Sequence, residues 1–177
     1  VALHCDAIQA HAETALGLVE TKVGLVPAWG GCKELLLRLS SDGDRRSGVG
    51  SPGLAAFRTI SRACISASAL DARDLAYLRP GDGLTMNRDR LLADAKAAAL
   101  RLAEGYRPPE PRLLALPGLA GRQALLDALG EPTAMHRAAP HDRLVGEMLA
   151  TVLTGGDADP AQPLPEDEVC ELEREAF

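Results

Sequence analysis

Aromatic side chains are scarce: one Trp, two Tyr and two Phe make up 3% of 177 residues. The core must therefore come from Leu, Val and many Ala, which favours closely packed helices. Cysteine is sparse as well. Cys5, Cys32, Cys64 and Cys170 lie far apart with no paired spacing, which argues against a zinc site or a disulfide framework and for a reducing, cytoplasmic setting. Positive charge is in deficit, 19 Lys and Arg against 25 Asp and Glu for a net charge of −6. Nucleic acid is thereby a poor candidate partner, since phosphate binding needs clustered cations. The pair Arg45-Arg46 is too short a basic run to change that. No apolar stretch reaches the roughly 18 to 20 residues needed to span a membrane. The chain also lacks an initiator Met, opens inside an apolar run and stops at Phe177 within a helical pattern. Both ends read as cut, so the missing signal peptide says little about the intact protein.

What is present suffices for a sizeable core, with 46% of residues hydrophobic. Residues 1–3 read as the last turn of a helix, residues 6–12 alternate as a short buried strand, and residues 14–19 are a second strand candidate. An amphipathic helix follows at 32–39, then a polar, glycine-rich stretch at 40–53 that reads as a mobile loop. Helices are predicted at 54–63 and 66–78. Asn87 can cap a long helix to residue 104, in which Leu91, Ala95, Ala98 and Leu102 recur at helical spacing and which Gly105 ends. The Pro-rich segment 108–118 reads as a stiff linker. Helices near 123–129, 142–153 (closed by Gly155-Gly156) and 165–177 complete the chain. No internal repeat is present. The expected domains are 1–107, the linker 108–118 and a helical region 119–177.

The most informative stretch runs from Gly17 to Lys33. It sets a single carboxylate, Glu20, in apolar sequence and follows it with Gly30-Gly31. Burial would disfavour the charged form of Glu20 and poise it to exchange a proton. The glycine pair lets the backbone turn into a helix whose amino end presents free N–H groups and a partial positive charge. Acid and helix start would then face one cavity. The residues alone equally allow Glu20 to end a strand, solvated or paired with Lys22. Trp29, the one large aromatic nearby, is a candidate for the pocket wall or for the core.

The string from His4-Cys5-Asp6 through Glu20 to Pro27-Ala28-Trp29-Gly30-Gly31 resembles the second half of the crotonase (enoyl-CoA hydratase/isomerase) core. The likeness continues through Ile65-Ser66-Ala67-Ser68-Ala69-Leu70-Asp71-Ala72-Arg73. Leu78-Arg79-Pro80, Met86-Asn87-Arg88-Asp89, Leu153-Thr154-Gly155-Gly156-Asp157 and the tail 172–177 resemble a narrower group. That group is the crotonase-like portion of long bacterial 3-hydroxyacyl-CoA dehydrogenases. The resemblance is densest over 1–33 and 65–110 and sparse over 40–60 and 112–140.

The resemblance implies an α/β fold, the C-terminal part of a crotonase-like architecture, helix-rich with a few short strands near the N-terminus. It further implies hydration of trans-2-enoyl-CoA to 3-hydroxyacyl-CoA in the intact enzyme, with a CoA thioester as substrate and no redox cofactor for that step. NAD would belong to a dehydrogenase module upstream in the same polypeptide, and the protein would form homo-oligomers. Of the family's two catalytic glutamates Glu20 matches the second. The first, and a glycine-rich segment supplying an oxyanion N–H, would precede Val1, so the 177-residue chain alone is expected to be inactive. Pro27, Ala28, Trp29, Gly30 and Gly31 would line the substrate site. Ala28 stands where many crotonases have a glycine, which keeps the backbone donor but adds a methyl group. Family members also place Lys or Arg near the phosphates of CoA, and Lys22, Lys33, Arg73, Arg79, Arg88 and Arg90 are available.

Other motifs carry less. Residues 48–53 match the dinucleotide fingerprint letter for letter, yet charged sequence precedes them and Pro52 interrupts them, so NAD binding there is not expected. His4, Cys5, Asp6 and His11 would point several ways from a helix end and a strand, which disfavours a metal site, and none is expected. His136 and His141 lack an accompanying acid and nucleophile. A non-catalytic docking or oligomerisation module on the same scaffold is the alternative from another class. The Ala/Leu helices at 91–104 and 142–153 would be its surface.

Overall fold

The computed structural model describes residues 1–41, 51–129 and 140–177. In chain order the elements are β1 (Gln9–His11), α1 (Gly31–Ser41), α2 (Pro52–Ser61), α3 (Ala69–Asp74), β2 (Gly83–Thr85), α4 (Leu91–Ala103), β3 (Leu113–Leu114), α5 (Gly118–Leu129), α6 (Pro140–Thr154), β4 (Leu164–Pro165) and α7 (Glu166–Ala176). The chain is thus helix-rich with a few short strands, in the α/β class. Of the described strands β1 alone lies near the N-terminus, whereas the sequence led us to expect all of them there.

Contacts divide the chain into two units, 1–16 with 65–110 and 17–64 with 111–177. Each unit is thus assembled from two stretches that are separate in the chain. Segment composition marks linkers, but it does not say which helices share a core.

In the first unit β1 pairs in parallel with β2, with Ala10 opposite Leu84. Asp82, almost fully buried, holds the pair from one end: one carboxylate oxygen accepts the Ile8 N–H at 2.9 Å and the other the Arg79 N–H at 2.7 Å. The Thr85 hydroxyl accepts from Gln9 Nε2 at 2.8 Å and donates to Asp94 on α4 at 2.9 Å, so a polar chain crosses strand, strand and helix. The predicted strand at 14–19 does not form as one. Within the first unit the Ser66 hydroxyl takes the Leu16 N–H at 2.8 Å and the Leu16 carbonyl takes the Ser66 N–H, so these groups bond to a single residue rather than to a ladder. The predicted helix 66–78 shortens to α3. Ser68 caps its start by accepting the Asp71 N–H, and Ala76 at φ +61° ends it, with the Leu78 N–H returning to the Ala72 carbonyl. Asn87 caps as expected, but the first turn it opens, Arg88–Arg90, is a 3₁₀ turn ahead of α4.

The second unit carries most of the large fully buried side chains. Leu35, Leu36, Phe57, Ile60, Leu149, Leu153 and Val169 are each at most 1% exposed. Helix α6 packs against α1, α2, α5 and α7, which makes it the shared wall of this core. Gly155 and Gly156, at φ +82° and +62°, close α6 by returning N–H groups to the Val152 and Thr151 carbonyls. The Pro-rich segment is not linker throughout, because β3 pairs antiparallel with β4 and α5 begins at Gly118. Residues 31–39 of α1 are buried on every side, Lys33, Glu34 and Arg38 included. The amphipathic reading of 32–39 is corrected on that point: the polar face meets protein rather than water. The expected loop 40–53 contributes Ser40 and Ser41 to α1 and Pro52 and Gly53 to α2, and its remainder apart from Ser51 lies outside the described residues, as does His136.

Leu149→Ala should cost about 3 kcal/mol, within the roughly 2–5 kcal/mol range for emptying a packed leucine site. Leu92→Ala on α4, where Leu92 is 82% exposed, should stay within about 0.5 kcal/mol. Urea denaturation of both variants measures the contrast, and equal losses would contradict this description of the core.

Candidate functional site

Glu20 opens a 3₁₀ turn, Glu20–Val23, that three contacts hold in place. The Thr21 hydroxyl donates to the Ile60 carbonyl of α2 at 2.9 Å, and the Leu25 N–H returns to the Glu20 carbonyl. His141 Nε2 lies 2.8 Å from the Gly24 carbonyl, tying the turn to α6. Gly24 sits at φ +80°, a conformation that favours glycine, and a Cβ there would displace the His141 ring, which it would meet at 2.7 Å. Glu20 itself is half-buried. Its Oε2 is shut off from solvent and meets no hydrogen-bond partner among the described residues.

The two glycines of the pair have different reasons. Gly30 adopts φ +76°, the left-handed turn into α1. Gly31 packs so closely that a Cβ would approach the Leu18 side chain at 2.9 Å and Pro27 at 3.2 Å. Pro27 is buried and its carbonyl accepts from the Cys32 thiol at 3.6 Å. Ala28 is half-buried. Trp29 is 90% exposed, so the option of core packing for its indole is overturned. The loop must present the ring outward because the inner side is already filled by Pro27 and Val26.

The amino end of α1 does meet an acid, but that acid is Glu173 of α7. Its two carboxylate oxygens accept the N–H groups of Gly30 and of Lys33, the latter at 2.7 Å, and the residue is fully buried. Burial raises its pKa to about 7, a rise that the N–H donors of Lys33 and Gly30 and the Lys33 charge moderate without cancelling. Two N–H groups at this helix start, those of Gly30 and Lys33, are thus engaged by Glu173 and not free for an oxyanion, while the charge of Glu20 acts on Cys32 in the same turn.

Sequence reasoning missed Glu173, although a signal existed. Val169 and Glu173 stand four apart on α7, so the carboxylate falls on the stripe that Val169 buries.

Around this carboxylate the charges form a small network. Lys33 Nζ lies 2.7 Å from Glu34 and 2.9 Å from Glu166, and Glu166 also accepts the Arg112 N–H. Burial opposes the charge on Lys33, but the hydrogen bonds to Glu34 and Glu166 outweigh it and hold its pKa above the usual lysine value. Burial likewise opposes the charge on Glu166, and the Lys33 and Arg112 donors overcome it and lower its pKa. The Cys32 thiol is pushed well up, first by burial and then by the neighbouring charges of Glu173 and Glu20. Glu20, Cys32 and Glu173 therefore share one electrostatic neighbourhood, while the Trp29 ring faces solvent.

The cations proposed for CoA phosphates are partly committed elsewhere. Lys33 is buried in the network above, Arg79 donates to the Asp6 and Cys5 carbonyls, Arg73 to the Asp82 carbonyl, and Arg90 pairs with Asp94. Lys22 and Arg88 are exposed. Cys5 Sγ reaches the Val1 carbonyl and His11 Nε2 the Met86 carbonyl, in different directions. Among the described residues no group of three or more His, Cys, Asp or Glu could hold a metal ion, and no helix is long and apolar enough to cross a membrane.

Comparison with known proteins adds one relation. The chain is similar to a Bacillus subtilis (strain 168) protein named "Probable 3-hydroxyacyl-CoA dehydrogenase", with 37% identity over 171 residues. The match takes in 96% of this chain but 21% of that protein, so the chain spans about a fifth of its relative. No protein-family model matches, and neither does any solved structure.

Because Glu173 holds its proton more tightly folded than unfolded, its contribution to stability is full below about pH 4.5 and is lost as pH rises through about 7. The shift sets a ceiling of roughly 3 kcal/mol at about 1.4 kcal/mol per pH unit. Urea denaturation at pH 5 and pH 8 should show wild type losing stability with rising pH and Glu173→Gln losing distinctly less. An unchanged pH slope in the variant would remove Glu173 as its source.

Proposed function

We propose that this chain is the crotonase-like segment of a long bacterial 3-hydroxyacyl-CoA dehydrogenase. In the intact polypeptide it takes part in the reversible hydration of trans-2-enoyl-CoA to 3-hydroxyacyl-CoA. The observation that carries the reading is the 37% identity along nearly the whole chain to a protein of that name. The motifs around Glu20, Pro27 and Gly30-Gly31 supply the hydratase-like part.

In this reading Glu20 exchanges a proton with the water that adds across the double bond. Its partly shielded carboxylate, with one oxygen unbonded among the described residues, suits an acid/base group. Glu173 is not a competitor for that role, because both of its oxygens are committed to the backbone of α1 and of the turn before it. Pro27, Ala28, Trp29, Gly30 and Gly31 form the adjoining substrate wall, with the Ala28 N–H directed to the water. The oxyanion donors come from sequence upstream of this segment, where the first catalytic glutamate also lies. NAD serves the dehydrogenase module of the same polypeptide and takes no part in hydration.

One observation favours a second reading, a docking or oligomerisation module without catalysis. Helix α4 has no buried residue and exposes Leu92 and Leu100. A monomeric chain in light scattering that also fails to bind its upstream segment would count against that alternative.

The chain by itself should not hydrate crotonyl-CoA. Joined to its upstream segment it should do so, and Glu20→Gln should then lower kcat by roughly 10²- to 10⁴-fold, the usual worth of an acid/base group. A fall of less than tenfold would leave Glu20 without that role.

A further inference from the structure

The second unit holds a partly open cavity of about 520 Å³ between α1, α2, α5, α6 and the segment leading into α5. That volume falls within the roughly 300–1,000 Å³ of small-molecule sites. Leu36, Leu116, Leu125 and Leu153 form its buried walls. Among the described residues no charged and no aromatic side chain lines it. Two of the hydroxyls that reach it are already engaged: Ser51 Oγ accepts the Leu54 N–H at 3.3 Å, and Thr154 Oγ1 donates to the Ala150 carbonyl at 2.8 Å. The described interior therefore offers no charged side chain to pair with an ion and no ring to stack on a base. A largely aliphatic lining of this kind favours contact with hydrocarbon over water.

Ser40, Ser51, Ala124 and Pro160 on its lining are exposed, so the pocket opens to solvent and a bound molecule can keep a polar head in water while its tail contacts the leucines. The site is also separate from the carboxylates. It meets α1 at Leu36 and Ser40, which lie about 6 and 12 Å along the helix from Cys32 at ~1.5 Å per residue. None of Glu20, Pro27, Ala28, Trp29, Gly30 or Gly31 lines it.

We infer that this cavity binds one straight alkyl chain, tail inward against Leu36, Leu125 and Leu153, with the polar head left at the mouth. The inference does not rest on the hydration reading. Titration of the 177-residue chain with cis-parinaric acid should give saturable fluorescence at one site per chain, with dodecanol and dodecanoate displacing the probe and adenosine 3′,5′-bisphosphate leaving it in place. Leu125→Trp fills the interior and Ala124→Trp, at an exposed position, blocks the mouth. Each should weaken binding at least tenfold, and Ala124→Trp should do so without moving the melting temperature, so it decides the matter if Leu125→Trp fails to fold. Displacement by dodecanoyl-CoA would assign the chain to a thioester, and displacement by dodecanoate without dodecanoyl-CoA to a free acid. Absence of saturable binding, displacement by the bisphosphate, or wild-type affinity in a folded Ala124→Trp variant would overturn the site. Alkyl binding without hydration in the joined protein would sink only the proposed function, and hydration without alkyl binding only this site.

Discussion

The buried carboxylate of Glu173 against the amino end of α1 is the constraint on which the second unit depends. It joins residues 140 and more positions apart in the chain, and it does so with a group that is costly to bury. A carboxylate taken out of water demands donors, and the start of a helix offers backbone N–H groups together with the positive end of its dipole. Docking of α7 thereby satisfies both partners at once: the helix start gains acceptors for its unpaired donors and the acid gains its hydrogen bonds. The arrangement leaves Glu173 half protonated near neutrality, because burial outweighs those donors.

The neighbouring network follows from the same cost. Three acids, Glu34, Glu166 and Glu173, gather near one Lys33, and direct hydrogen bonds to its ammonium go to Glu34 and Glu166. Glu166 keeps its charge against the burial of the site, and Glu173 takes backbone donors instead. The buried pairs here are better read as mutual compensation than as a source of net stability, since desolvation offsets much of the attraction. Their effect is positional. They hold α1, α7 and the segment at Arg112 in one register, and the loop bearing Pro27 and Trp29 leads directly into that fixed helix.

The described residues of the second unit pair this polar network with an aliphatic interior. Its walls are leucines and small residues, in keeping with a chain that has few aromatic rings. The 520 Å³ cavity lies toward the other end of α1. One helix thus separates a charged neighbourhood at its start from an alkyl-lined space along its second half.

Much of the local structure was legible in the residues. Gly30-Gly31 marked the entry to a helix, Asn87 stood at a cap, and Gly155-Gly156 closed α6, because each depends on backbone conformation or on side chains a few positions away. The strand pairing was less legible. Three-residue β1 and β2 are too short for an alternation to declare itself, and the 14–19 segment reads as extended until the Ser66 hydroxyl takes its hydrogen bonds. The presence of one acid at the start of α1 was legible as chemistry, whereas its identity was not. Glu20 stands out among apolar neighbours, whereas Glu173 lies in charged sequence and only the packing of α7 onto α1 brings it to the helix start. Sequence by itself determined the helices, their caps and the aliphatic core, since these follow from neighbours along the chain. Tertiary structure alone decided which carboxylate meets which helix end and where the cavity opens, since both depend on residues that come together across long separations in the chain.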